Sequence, residues 1–157
     1  MFSSETYNAR RQALKSKISN GLILLLGNVD VPMNYGDNTY HFRQDSSFLY
    51  FFGLDFQRLS GVIDTESGEE IILGDDVSME DIIWMGPQVP LKEKALSVGV
   101  SRIEPSKALF EVIGKAIQAG RKIHILPPYR AENKLFLSKL LGILPSRLKA
   151  YSSVELI

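Results

Sequence analysis

The run of five aliphatic residues Leu22–Leu26 is the strongest constraint on the fold. It is short, continuous and preceded by Gly21, which is typical of a strand buried on both faces of a sheet. Five residues are too few for a signal-peptide core, which needs about 7–15, or for a membrane span, which needs about 20. The sequence therefore predicts a buried central strand, and we expect neither export nor membrane insertion.

Other periodic segments place helices and strands around this strand. Apolar residues recur at spacings of three and four in residues 5–19 and 106–119, and residues 91–97 and 131–141 are two further helical candidates. Residues 61–64 and 70–73 flank a turn containing Gly68, as in a β-hairpin. Further strands are predicted at residues 40–52, 82–85, 122–126 and 147–151. Strands that alternate with helices after an early hairpin predict an α/β domain, a mixed β-sheet flanked by helices.

Composition and charge limit the classes of partner that the chain can bind. The chain has 157 residues, which predicts one domain over residues 1–157, and 45% of them are hydrophobic. Eighteen basic and eighteen acidic residues cancel, and neither sign forms a long run, so nucleic acid is an unfavoured partner. A net charge near zero leaves self-association open. The sequence has no cysteine, and the cytoplasm is the default compartment.

Catalytic motifs are not found. The sequence has no G-x-S-x-G elbow, no G-x-x-x-x-G-K-[ST] phosphate loop, no G-x-G-x-x-G fingerprint and no thiol nucleophile. Its two histidines, His41 and His124, lie in no zinc-binding spacing. His124 alternates with two isoleucines in a strand, which favours a structural or surface role, whereas a functional role for His41 stays open.

Three pairs of adjacent carboxylates offer little to a metal ion. They are residues 69–70, 75–76 and 80–81, and neighbouring side chains of a strand point to opposite faces. Two carboxylates would also leave a divalent cation short of its six or so oxygen ligands. We interpret these pairs as solvated turns and strand ends and expect no metal ligand and no catalytic residue in this chain.

Aromatic residues are concentrated between residues 35 and 52. The simplest interpretation is a core strand whose rings pack beneath the sheet, with Arg43 paired to a nearby carboxylate. Asp37 and Trp84 differ from this group, because a loop aspartate and a tryptophan beside a Gly-Pro pair can border a cleft.

Residues 40–53, YHFRQDSSFLYFFG, resemble the signature Y-x-F-R-Q-x-S-x-F-x-Y-x-x-G of the aminopeptidase P N-terminal domain. The W-x-G segment that begins at Trp84 is similar to a second family segment, and the order of the elements agrees over essentially the whole chain. The resemblance implies the fold of the creatinase/prolidase N-terminal domain, with a ribonuclease H-like motif.

The resemblance also implies a larger enzyme. Members of the family are two-domain enzymes that remove an N-terminal residue preceding proline, and their C-terminal pita-bread domain binds two divalent ions, usually manganese. We therefore expect the catalytic domain to lie outside residues 1–157, no cofactor within them, and no hydrolysis by them alone. The expected partners are the protein's own catalytic domain, further copies in a dimer or tetramer, and peptides with proline second. Asp37 and Trp84 match family positions near the cleft and are the candidate substrate-binding residues, whereas structural roles are favoured for residues 43–45.

Two alternatives stay open. The N-terminal domain of an Xaa-Pro dipeptidase carries a similar F-R-Q motif, and substrate length separates it from an aminopeptidase. A stand-alone, non-catalytic interaction module is the other alternative, and it predicts a reading frame that ends near Ile157.

Overall fold

A computed structural model describes residues 2–36, 38–77, 83 and 86–153. Its strands are β1 Leu22–Leu26, β2 Ser60–Asp64, β3 Glu70–Leu73, β4 Arg102–Glu104 and β5 Ile123–Ile125. Its helices are α1 Ser4–Lys17, α2 Ser46–Phe52, α3 Leu91–Ser97, α4 Ala108–Gln118, α5 Ala131–Leu141 and α6 Leu148–Tyr151, with a 3₁₀ turn at Pro145–Arg147 before α6.

The strands form one mixed sheet in the order β4-β3-β2-β1-β5. The β2–β3 hairpin is antiparallel, and β1 pairs antiparallel with β2, with Leu24 opposite Val62. The two outer strands are parallel to their neighbours: β5 pairs with β1, and β4 with β3. This arrangement confirms the mixed sheet flanked by helices.

Two hydrophobic cores cover the two faces of the sheet. The first core joins α1, α2 and α3 to one face, and the second joins α4, α5 and α6 to the other. Strand β1 contributes alternately to both, with Ile23 and Leu25 in the first core and Leu22 and Leu24 in the second. The predicted strand buried on both faces is therefore confirmed, and each of these side chains contributes about 1.5–3 kcal/mol by its burial.

The expected strand over residues 40–52 is wrong, because Ser46–Phe52 is helical. Strand geometry would place Phe48, Tyr50 and Phe52 on one face. Instead Phe48 and Phe52 are fully buried and stack with ring centroids 5.2 Å apart, while Tyr50 is 51% exposed. This spacing of four residues is that of one helix face.

Other differences lie in short elements. The expected strand at residues 147–151 is wrong, because a 3₁₀ turn and α6 occupy this region. Strand β4 was not predicted from the sequence. Most of the strand expected at residues 82–85 lies outside the described residues. Among the described residues, no helix has the length and apolarity to cross a membrane.

Candidate functional site

The candidate site is the loop between β1 and α2, which contains position 37. Asp37 and Trp84 both lie outside the described residues, so their role stays a prediction. On either side of position 37 the chain forms a short antiparallel ribbon. Pro32 bridges Thr39, the Tyr40 N–H donates to the Val31 carbonyl at 2.9 Å, and the N–H of Met33 donates to the carbonyl of Asn38 at 2.8 Å.

The described side chains of this ribbon face outward. Met33, Tyr35 and Tyr40 are each more than half exposed, although all three are apolar or aromatic. Three such side chains on one hydrogen-bonded ribbon form a surface that can contact a peptide or a second protein surface. The ribbon can therefore serve as a binding surface for a peptide or a protein.

Gln44 anchors the base of the ribbon. It is 4% exposed, and its Oε1 accepts hydrogen bonds from the backbone N–H groups of Asn28, at 2.7 Å, and Asp45, at 2.9 Å. Its Nε2 donates to the carbonyls of Leu54 and Phe56 at 3.1 and 2.8 Å. The side chain thus uses both lone pairs and both amide hydrogens, and ties the end of β1 to the segment that follows α2.

The next residue of the signature begins helix α2. Asp45 is the N-cap, and its Oδ1 accepts from the N–H groups of Ser47 and Phe48 at 2.9 and 3.0 Å. Gly53 ends the helix in the left-handed conformation, φ +67°, with its N–H bonded to the carbonyl of Leu49. Gln44 and Asp45 therefore have the structural roles that the sequence favoured.

Arg43 differs from the expectation for the same segment. It is exposed, and no carboxylate pairs with it among the described residues. What it contributes to the base of the ribbon is its backbone carbonyl, which accepts from Asn28 Nδ2 at 2.9 Å. Together with the exposed His41 and the partly buried Asp30 and Arg130, it lines an open pocket of about 330 Å³ beside the ribbon.

His124 has the structural role expected of it. It is 4% exposed, its Nε2 lies 2.6 Å from the carbonyl oxygen of Asn20, and its Nδ1 lies 2.7 Å from Ser153 Oγ. A carbonyl oxygen only accepts, so Nε2 carries the hydrogen and Nδ1 of the neutral ring accepts from the serine. The imidazole joins β5 to the loops on either side.

The carboxylates of the described pairs serve separate structural partners. Glu69 pairs with Arg102 at 2.6 Å, whereas Glu70 pairs with Arg11 at 2.7 Å. Within the described ranges, no three His, Asp or Glu side chains gather as metal ligands do.

The ion pair between Arg121 and Asp64 is also structural. Arg121 donates two hydrogen bonds to Asp64, and these bonds lower the pKa of that carboxyl from 3.8 to about 2. Asp64 also accepts from the backbone of the hairpin turn at Glu66 and Ser67. The pair therefore ties the β2–β3 hairpin to the start of β5.

The role of Arg11 was not predicted from the sequence. Its side chain is fully buried and binds three separate elements. The only signal was an arginine on the apolar stripe of the first helix.

These features define an α/β domain in which a signature segment builds the base of an exposed, hydrogen-bonded ribbon. The model of the family described as "Aminopeptidase P, N-terminal domain" matches residues 7–126, and the chain belongs to this family.

The curated relatives are much longer proteins. A probable Xaa-Pro aminopeptidase of Aspergillus flavus is 29% identical over 107 residues, which are 68% of this chain and 22% of the relative. One of Aspergillus terreus is 30% identical over 96 residues, covering 61% of this chain and 20% of the relative. The chain therefore matches about a fifth of the length of these relatives.

Solved structures share the fold. A variant of Escherichia coli aminopeptidase P in complex with substrate has a TM-score of 0.74 at 19% identity, over 95% of this chain and 34% of that one. Aminopeptidase PepP of Pseudomonas aeruginosa gives the same TM-score, identity and coverage.

Proposed function

We propose that this chain is the N-terminal domain of a metal-dependent Xaa-Pro aminopeptidase, which removes the N-terminal residue that precedes proline. The observation that carries this proposal is the family match over residues 7–126. The names of the curated relatives support the substrate class, since the relatives from two Aspergillus species are both called probable Xaa-Pro aminopeptidases.

The role proposed for the domain is assembly and closure of the cleft. Its support is the ribbon between β1 and α2, whose outward side chains are held on a base fixed by four hydrogen bonds of Gln44. A rigid base lets the ribbon meet a peptide or another subunit without a large ordering cost. Asp37 and Trp84 are the proposed substrate contacts, and the proposed assembly is a dimer or a tetramer in the cytoplasm.

The reaction itself belongs to a catalytic domain beyond these residues. The side chains of the described segments do not fit a divalent metal pair, because no cluster of three candidate ligands occurs among them and the acidic pair at residues 69–70 is bound to arginines. We therefore assign the two metal ions, manganese by analogy with the family, to that domain. Alone, this chain is expected to be inactive.

The experiment begins with the coding sequence downstream of Ile157. Two aspartates, one histidine and two glutamates at family spacing would support the enzyme, whereas a stop codon there would favour a stand-alone module. The complete product is then assayed with manganese on an X-Pro dipeptide and on longer peptides with the same first two residues. Cleavage of the longer peptides is the expected result. Cleavage of the dipeptide alone would identify an Xaa-Pro dipeptidase instead.

A further inference from the structure

A small cavity lies at the carboxyl ends of the neighbouring parallel strands β1 and β5. From β1 the chain proceeds to α2, which packs on the first face of the sheet, and from β5 it proceeds to α5, which packs on the second. Two adjacent parallel strands whose connections leave to opposite faces form a topological switch point. In open α/β sheets, this is where a crevice forms and ligands bind.

The walls of the cavity are mainly aliphatic. The aliphatic part of the lining includes Leu26, Leu126, Pro127 and Pro128. Tyr129, which is 68% exposed, also lines the cavity. The volume is about 190 Å³, below the roughly 300–1,000 Å³ of pockets that hold a drug-sized ligand. The cavity thus has room for one extended side chain or a molecule of similar size.

Among the described residues, Asp45 is the only charged side chain in this lining, and Ser47 and Asn133 are the other polar side chains besides Tyr129. Capping of α2 uses Asp45 Oδ1 only, and no described side chain bonds its Oδ2. A carboxylate oxygen with a free lone pair beside aliphatic walls attracts a cation more strongly than one in open water. The first turn of α5 has no side-chain cap, and an uncapped helix N-terminus by itself favours an anion. The negative charge of Asp45, however, would repel an anion in this cavity.

We propose that this cavity is a binding site for a guanidinium or ammonium group carried on an aliphatic stem. The charged end pairs with Asp45 and hydrogen-bonds Ser47, while the stem packs against Leu26 and Leu126 and the cation lies over Tyr129. The ligand is either a free alkyl amine or guanidine, or a basic side chain of a polypeptide. This site is separate from the ribbon and does not rest on the proposed peptidase function.

The test is an NMR titration of the 157-residue chain with N-acetyl-arginine methylamide. Its neutral control is N-acetyl-citrulline methylamide, which has the same stem without the charge. We expect saturable shifts of backbone amides in residues 24–26, 45–48 and 125–129, and affinity lower by about tenfold or more for the citrulline compound, since tenfold corresponds to the loss of one modest charged hydrogen bond. Equal affinity for the two compounds, or shifts spread over other surfaces, would overturn the proposal.

Variants separate charge from structure. Asp45→Asn keeps an N-cap oxygen, because asparagine caps helices about as well as aspartate, but it removes the charge. It should reduce arginine binding to the level of citrulline, whereas Asp55→Asn, at an exposed acid outside the lining, should leave binding unchanged. Unchanged binding by Asp45→Asn would refute the site. If this variant fails to fold, the comparison of the arginine and citrulline compounds on the unmodified chain still shows whether the cavity binds a cation.

A last arm identifies the source of the cation. Agmatine, a free alkylguanidine, is compared with a capped pentapeptide that has arginine at its centre. Binding of the peptide supports a polypeptide side chain as the natural ligand, and binding of agmatine alone supports a small molecule. Binding of neither contradicts the proposal.

Discussion

Arg11 and Glu70 form an ion pair inside the domain, with Arg11 Nε 2.7 Å from Glu70 Oε2 and no exposed surface on the arginine side chain. The guanidinium also donates to the carbonyls of Phe51 and Val98 at 2.9 and 3.0 Å. One side chain of α1 therefore fixes the ends of α2 and α3 and the first residue of β3. Lys15 Nζ, 3.0 Å from Glu70 Oε1, adds a second cation without hydrogen-bond geometry.

Replacing Arg11 should strongly destabilise the domain. Arg11→Ala leaves the Glu70 carboxylate and two carbonyls without their partner, and the loss of one member of a buried pair costs about 3–5 kcal/mol. The measurement is urea denaturation followed by circular dichroism. The adjacent Arg10→Ala is the control: it removes one bond to the Tyr50 carbonyl and the cation–π contacts of the guanidinium with Phe2 and Tyr50 near the surface. It should cost about 1–2 kcal/mol, clearly less than Arg11→Ala. Equal losses for the two variants would contradict the structural role of Arg11.

Gln44→Glu should destabilise the domain although it changes few atoms. The amide nitrogen that donates to Leu54 and Phe56 becomes an oxygen facing two carbonyl oxygens. Buried polar groups left without partners cost about 1–3 kcal/mol each, so the midpoint of urea unfolding should fall clearly. Gln12→Glu on the exposed face of α1 is the matched control and should stay within about 0.5 kcal/mol of the parent. A negligible effect of Gln44→Glu would show that Gln44 is not needed to hold the ribbon base.

Gly53 and Gly68 provide a test of packing at constant backbone strain. Both have positive φ, but a Cβ at Gly53 would lie 2.2 Å from Cζ of Tyr7, whereas one at Gly68 meets open space. Gly68→Ala should cost about 1 kcal/mol from the left-handed backbone alone. Gly53→Ala should destabilise the domain by about 1–3 kcal/mol more than Gly68→Ala does, because Tyr7 is buried and cannot move away freely. Thermal unfolding of both variants measures the difference, and equal costs would argue against the Tyr7 contact.

The segment around Gly53 also shows which elements of the fold could be predicted from the sequence and which could not. Several elements were predicted correctly: strand β1, the β2–β3 hairpin and the helices α1, α4 and α5. Each of them either is long enough to show a periodic pattern of apolar residues or is bounded by glycine. Helix α2 was mistaken for a strand because its aromatic residues favour sheets, and aromatic propensity depends on packing. Its end signals, Asp45 at the N-cap and Gly53 at the C-cap, were present in the sequence.

The contacts that organise the candidate site were beyond sequence analysis. Gln44 bonds residues 10 and 12 positions ahead of it, and Arg11 bonds a glutamate 59 positions away. No local pattern encodes such partners, because they depend on how the two faces of the sheet are covered. The family signature marked Gln44 as part of a motif, but the structure is what assigns its four bonds.

Trp84→Ala, made in the complete enzyme, tests the proposed substrate contact. If the side chain borders the cleft, turnover of X-Pro peptides should fall while the melting temperature stays close to that of the parent. Asp37→Asn should act in the same direction through the loss of one charge. An exposed apolar residue outside the ribbon, Leu135→Ala, is the control and should leave kcat/KM unchanged. Unchanged kinetics for Trp84→Ala would assign the tryptophan to the surface or the core.

Acid should weaken the tie between the hairpin and β5 within a defined range. Arg121 holds the pKa of Asp64 at about 2 in the folded chain, against 3.8 for an ordinary aspartate. Because the folded pKa is the lower one, the unfolded state binds a proton first as the pH falls. The stabilisation is therefore complete above about pH 4 and is lost between about pH 4 and pH 2.

The pair is partly solvated, so its contribution should be about 1 kcal/mol, the upper end for such pairs, in keeping with its two parallel hydrogen bonds. Urea unfolding of the parent and of Asp64→Asn at pH 7 and pH 3 measures it, and the stability difference between the two proteins should shrink at pH 3. A difference that is the same at both pH values would mean that the charge of Asp64 does not stabilise the fold.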